Sequence, residues 1–283
     1  MPAHDLGQVH RSAHYSMGTV FEVWIAGGEE GYARQASQAL FSEVDRLEGL
    51  FSRFNPSSEI GRINRMQPGA SALIGADLYA CLDIAVRICR ETGGAFDVAC
   101  ATGLPALRLE QVPEGFRLTV TDEGGRGGHP AVDLGAIGKG YALDIGRQTL
   151  ADWGIDHALV QSGTSTAIAV GHAPAAAGWP VRIGGSWEIP GAARILQLQD
   201  RAISGSGVEV KGLHIRDPRT GLSAAGHLAA WVSHPRAAEA DALSTAFMVM
   251  STEEVRRYCE SRPGVQALVI VGPGEAAAWG FDA

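Results

Sequence analysis

The sequence has no run of basic residues, no long apolar stretch and no cysteine pattern, and each absence removes a class of function. With 23 Lys and Arg against 31 Asp and Glu, the formal net charge is −8, so nucleic acid is not an expected partner. No segment has the roughly 20 apolar residues that a helix needs to cross a bilayer, so no membrane span is expected. Met1 to Met17 is polar and histidine-bearing, with neither an apolar signal core nor a lipidation cysteine. The cytoplasm is therefore the expected location, although a trimmed periplasmic protein would read the same.

Cys81, Cys89, Cys100 and Cys259 lack metal or redox spacing. Cys81 and Cys89 lie about 12 Å apart along a predicted helix, at ~1.5 Å per residue, too far to bridge. Reduced thiols are expected. No serine sits in a G-x-S-x-G elbow, which removes the usual serine hydrolase. Repeats and low-complexity tracts are also missing.

What remains is a chain of 283 residues, 46% hydrophobic, enough for one large domain or two lobes sharing a cleft. Phe21, Val23 and Ile25 alternate in a strand from Thr19 to Ile25. Ala36, Leu40, Val44, Leu47, Phe51 and Phe54 step by threes and fours, predicting a helix with all six in the core. A second helix is predicted over Asp77 to Glu91, then a short buried edge at 95–98. Strands are expected over His157 to Val160, Thr166 to Val170 and around Val181, Arg194 to Leu198 and Ile203. Ser204 to Gly207 reads as a loop. A strand over Leu228 to Ser233, helices over Ala237 to Met250 and Thr252 to Cys259, and a last strand over Val265 to Val271 complete the order. Helices and strands intermix without βαβ alternation, so the class is α+β, with two lobes. Residues 1–14 are expected to be flexible and frayed, which discounts His10 and His14 as metal ligands; 15–283 form one domain.

The stretch Asp133-Leu134-Gly135-Ala136-Ile137-Gly138-Lys139-Gly140-Tyr141-Ala142-Leu143-Asp144 is where chemistry is expected. Ala131 and Val132 read as a strand end and Tyr141 to Trp153 as a helix, which puts Lys139 at a strand-to-helix handover. Free N–H groups, the helix dipole and a lysine favour a phosphate there. Gly140 in place of Ser or Thr excludes a Walker A loop. Alone, the stretch could equally be a glycine turn with a surface lysine. The second anchor is Asp241-Ala242-Leu243-Ser244-Thr245. Asp241 and Thr245 stand at i and i+4 on a helix, a carboxylate and a hydroxyl on one face, oxygen donors of the kind Mg²⁺ accepts. Alone, this could be a dipole-favoured acid and a threonine bonding back to a carbonyl.

Together with Met17-Gly18-Thr19, Ser52-Arg53-Phe54, Ser58-Glu59-Ile60, Gly93 to Asp97 and His214 to Gly221, these anchors stand in an order that resembles the ApbE family of FAD:protein FMN transferases. The resemblance runs from about residue 15 to 270. It implies two mixed α/β lobes of T-fold-like architecture around an FAD cleft, and Mg²⁺ bound by Asp241, Thr245 and the Ala136 carbonyl. It also implies FAD as substrate, FMN passed to a Ser or Thr of a flavin-accepting protein, and AMP as leaving group. Lys139 would steady the pyrophosphate and His214 would act as general base, an imidazole that titrates near neutrality. Met17, Gly18, Phe96, Asp97, Ala136, Gly163, Ser204, Gly205 and His214 would border the flavin nucleotide. Two segments depart from the family pattern. Gln161-Ser162-Gly163-Thr164-Ser165 keeps one of two expected glycines, and the stretch from Ser204 to His214 is short. The alternatives are an FAD pyrophosphatase giving FMN and AMP, and a flavin-binding protein without turnover.

Overall fold

The computed structural model describes residues 7–100, 103–121, 129–183, 194–208, 215–224, 226–272 and 274–281. In chain order the elements are β1 (Val9–Ser16), β2 (Thr19–Ala26), α1 (Glu30–Phe51), α2 (Glu59–Ile63), β3 (Ser71–Ile74), α3 (Ala76–Glu91), β4 (Leu107–Val112) and β5 (Gly115–Val120). They continue with α4 (Gly138–Asp152), β6 (Ala158–Ser162), β7 (Thr166–Val170), β8 (Trp179–Ile183), β9 (Arg194–Leu198) and β10 (Ala202–Gly207). The last are β11 (Ala229–His234), α5 (Ala237–Val249), α6 (Thr252–Glu260), β12 (Gln266–Gly272) and β13 (Glu275–Trp279). The class is α+β, as expected.

Eight strands form one antiparallel sheet in the order β1-β2-β6-β7-β10-β11-β12-β13, with β3-β5-β4 and β8-β9 as smaller sheets. One face of the large sheet is covered by α1, α4 and α5. On the other, Trp179, Ile183 and Leu198 of the β8–β9 hairpin cluster with Leu159, Ala169 and Ile203. Covered twice, β6 and β7 are nearly continuous apolar runs. Helix α5 is rich in alanine, a small and strong helix former, and packs closely on β10, β11, α3 and α4. Every residue of α5 is buried except Thr245.

Several expectations are corrected here. The supposedly frayed N-terminal stretch contains β1, which pairs with β2 along its whole length. His14 is held on α1, its Nε2 2.8 Å from Asp45 and its ring stacked on Phe41. Phe54 lies past the end of α1 and is 82% exposed, because the helix stops at Phe51, before its period can bring that ring inward. Ser204 to Gly207 are part of β10, paired with β11. Residues 95–98 and 131–134 are not strands. β3, β4, β5 and β13 were not anticipated, being short and mostly half-exposed. Cys81, Cys89 and Cys259 are free thiols, and burial pushes the Cys89 thiol up to about 11.

Candidate functional site

The stretch from 131 to 137 stays irregular because its backbone groups are claimed by side chains and by the Val98 carbonyl. The Asn64 amide donates to the Val132 carbonyl at 2.9 Å and accepts from its N–H at 2.8 Å, filling the place of a neighbouring strand. Asp133 N–H donates to the Val98 carbonyl. The Asp133 carboxylate accepts from Gly135 N–H at 2.9 Å and pairs with Arg53 at 2.9 Å. A turn at 135–137 follows, and α4 begins at Gly138. Lys139 therefore stands in the first turn of the helix, where the dipole favours an anion.

Helix α5 lies against this turn because Gly140 lets it. A Cβ on Gly140 would fall 2.3 Å from the Ala237 carbonyl oxygen. One turn on, the Asp144 carboxylate accepts from the N–H groups of Ala237 and Ala238, at 2.8 and 3.0 Å. It caps α5 from outside, since Arg236 at the N-cap offers no side-chain bond. Burial pushes the Asp144 carboxyl up, against the two N–H bonds that lower it.

Registered in this way, α5 brings Asp241 to Lys139. Lys139 Nζ donates to the Gly135 carbonyl at 2.9 Å and lies 3.4 Å from Asp241 Oδ2. The Asp241 carboxylate, 4% exposed, also accepts from Gly140 N–H at 3.2 Å and from Ser204 Oγ at 3.1 Å. Thr245 shares its face of α5, with Oγ1 3.3 Å from Ser206 Oγ and 3.4 Å from the Asp241 carbonyl. Ala136, half-buried, lies in the same turn as Gly135. The Lys139 cation, the Gly135 carbonyl, the Asp241 carboxylate and the Ser204 hydroxyl thus meet from segments far apart in the chain.

The other expected residues are placed variously. Met17 and Gly18 make the two-residue turn between β1 and β2, with φ of 51° and 71°, the mirror-image turn that suits hairpin twist. Gly163 turns β6 into β7, next to Thr19. Ser204 is fully buried and reaches the site through Asp241. Gly205 faces away from it, toward the Trp231 indole, which a Cβ would meet at 2.7 Å. Phe96 is a core residue at 2% exposure. Asp97 braces the next loop by accepting from Ala99 and Leu104 N–H. His214 lies outside the described residues.

Four residues with supporting roles were not singled out from the sequence: Asn64, Arg53, Asp144 and Arg219. The Arg219 guanidinium binds Asp217 at 3.0 Å, Glu254 at 3.2 Å and the Val249 carbonyl at 3.2 Å. It fastens the segment that follows His214 onto the ends of α5 and α6. Burial raises the Asp217 carboxyl, and the Arg219 bonds outweigh it, so the pKa is lowered. Arg53, Asp144 and Arg219 stood inside the recognised motifs; Asn64 carried no signal, since its role needs a partner 68 positions away. Among the described residues no three His, Cys, Asp or Glu side chains cluster as a metal site, and no helix is long and apolar enough to cross a membrane.

An FAD:protein FMN transferase of Rhodobacter capsulatus is 28% identical over 95% of this chain and 55% of its own length. One of Treponema pallidum is 27% identical over 83% of this chain and 76% of its own. The chain thus spans little more than half of the first relative. Among solved structures, the flavin transferase ApbE of Vibrio cholerae superposes with a TM-score of 0.82 at 21% identity, covering 96% of this chain and 97% of that one. The apbe protein of Thermotoga maritima gives 0.78 at 22% identity, over 95% and 96%; at such identities the likeness establishes the fold. The family model itself matches residues 17–269, and the chain belongs to the ApbE family.

Proposed function

We propose that this chain is a Mg²⁺-dependent FAD:protein FMN transferase. The observation that carries the reading is the contact of Lys139 with Asp241, whose helix also presents Thr245 one turn on, and the names of the relatives point the same way. The donor set suits the metal: one carboxylate, a hydroxyl and backbone carbonyls are hard oxygen ligands. A cationic group, the Lys139 ammonium, already bridges the Gly135 carbonyl and the Asp241 carboxylate. Asp241, Thr245 and the Ala136 carbonyl would hold Mg²⁺, which supplies charge neutralisation on the pyrophosphate when bound.

The protein's own residues do the rest. Lys139 and the N-terminal turn of α4 hold the FAD pyrophosphate. Phe54 offers an exposed ring beside the loop, with the Arg53 guanidinium 4.8 Å from its centre and the same guanidinium paired to Asp133. An acceptor Ser or Thr oxygen bonds to the FMN phosphorus, the pyrophosphate bond breaks and AMP leaves. His214 takes the hydroxyl proton. Catalysis is then positioning and charge stabilisation.

The test is AMP release from FAD, with Mg²⁺ and with EDTA, with and without a threonine-bearing acceptor domain. Metal-dependent AMP with FMN fixed to the acceptor supports the transferase. AMP with free FMN and no need of acceptor would make it a pyrophosphatase, and FAD binding without AMP a binding protein.

A further inference from the structure

Three hydroxyls stand in one row across the large sheet. Ser162 of β6 pairs with Thr166 of β7, and Thr166 with Ser204 of β10. Directly opposed residues point to the same face, and Ser204 bonds to Asp241, so this face is the one beneath α5. Ser162, Thr166 and Ser204 are 0, 2 and 0% exposed. A sheet interior covered by helices normally favours apolar side chains there, and a buried hydroxyl is costly unless it is bonded. Among the described residues Ser162 Oγ has no partner, so packing alone does not account for the row.

The direction of the bonds is determined by chemistry. A carboxylate only accepts, so Ser204 donates to Asp241 Oδ1 at 3.1 Å. Having one hydrogen, Ser204 must accept in its 2.9 Å bond to Thr166, and Thr166 must donate. The Thr166 oxygen can then accept from Ser165 Oγ at 3.4 Å. Bonds aligned in this way polarise one another. On the opposite side, Gly140 N–H and Lys139 hold Oδ2. The Asp241 carboxylate is thereby gripped at both oxygens and cannot rotate freely.

We infer that Thr166 is a positioning residue for the metal carboxylate, acting on Asp241 entirely through Ser204. This rests on the reading of Asp241 as a metal ligand. Outer hydroxyls that orient a ligand matter because a pre-aimed carboxylate loses less freedom on binding.

The test is the affinity of the full chain for Mn²⁺ in the absence of FAD, by calorimetry or spin resonance. Ser204→Ala should weaken it by roughly 10–100-fold, as for outer-shell partners generally, and Thr166→Val, one bond further out, by a smaller but measurable factor. Thr166→Ser, which keeps the donor, should bind as the parent does. Thr166→Ala removes the hydroxyl with a different packing change and should match valine. The double variant Ser204→Ala with Thr166→Val should bind no worse than Ser204→Ala alone, since a residue acting through another has nothing left to act on. Unchanged affinity in both Thr166→Val and Thr166→Ala overturns the inference, as does a double variant whose losses multiply. Asp241→Asn separates the two levels. Full Mn²⁺ affinity in that variant removes the metal reading and the inference with it. Lost affinity there, with Thr166 variants unaffected, removes the inference alone.

Discussion

Lys139 Nζ lies 3.4 Å from Asp241 Oδ2 although 102 positions separate the two residues. The contact joins the first turn of α4 to the second turn of α5, and both helices are held in that relation by Gly140 and Asp144. A lysine so placed can balance the carboxylate or turn to an anionic ligand. Lys139→Ala should weaken FAD binding by ten-fold or more, about 1.4 kcal/mol, while riboflavin, which has no phosphate, binds nearly as before. Titration of the two ligands by flavin fluorescence checks it; equal losses would place the lysine away from the pyrophosphate.

Asp241→Asn should abolish divalent-ion binding and AMP release while leaving the melting temperature within a few degrees, since the amide fills the same space. Unchanged AMP release would refute the assignment of the metal.

Gly140→Ala places a Cβ against the Ala237 carbonyl, so α4 and α5 must part. The expected cost is about 1–3 kcal/mol, as for overpacking elsewhere, with metal affinity falling too because Asp241 rides on α5. Denaturant midpoints and Mn²⁺ titration measure both. A stable variant with full metal affinity would show that the helices separate without consequence.

Asp144→Ala removes the acceptor for two buried N–H groups at the start of α5. A lost N-cap costs about 1 kcal/mol, up to ~2. Hydrogen exchange should quicken at Ala237 and Ala238 first; protection equal to the parent's would mean another acceptor takes over.

Stability should also fall with acid through His227. Its Nδ1 faces the Phe247 carbonyl, so that nitrogen carries the hydrogen, and Nε2 accepts from Thr252 Oγ1 at 3.1 Å. Burial lowers the pKa from 6.5, against the carbonyl bond that raises it. A histidine kept neutral in the fold takes up its proton later than in the unfolded chain. Its contribution is full above pH 6.5 and is lost progressively as pH falls below that value. Melting temperatures between pH 7.5 and 5 should drop less steeply in His227→Asn than in the parent; parallel curves would absolve His227.

The sequence by itself determined most elements and both anchors. Period-two alternation marks β2, the three-and-four step marks α1 and α3, and the two motifs at 133–144 and 240–245 mark segments that the fold brings together. These signals are local: they depend on spacing along a few turns of chain. The tertiary structure decided whatever depends on distant partners. Asn64 makes 131–134 irregular by occupying the backbone of Val132, and the end of α1 at Phe51 leaves Phe54 in solvent. Pairing with β11 turns Ser204 to Gly207 into strand and aims Gly205 at Trp231, while Ser204 faces Asp241. Side-chain direction alternates along a strand, so register alone chose which of those neighbours joins the site. That register, and the close approach of α4 to α5, come from packing between segments far apart in the chain, where no local pattern records them.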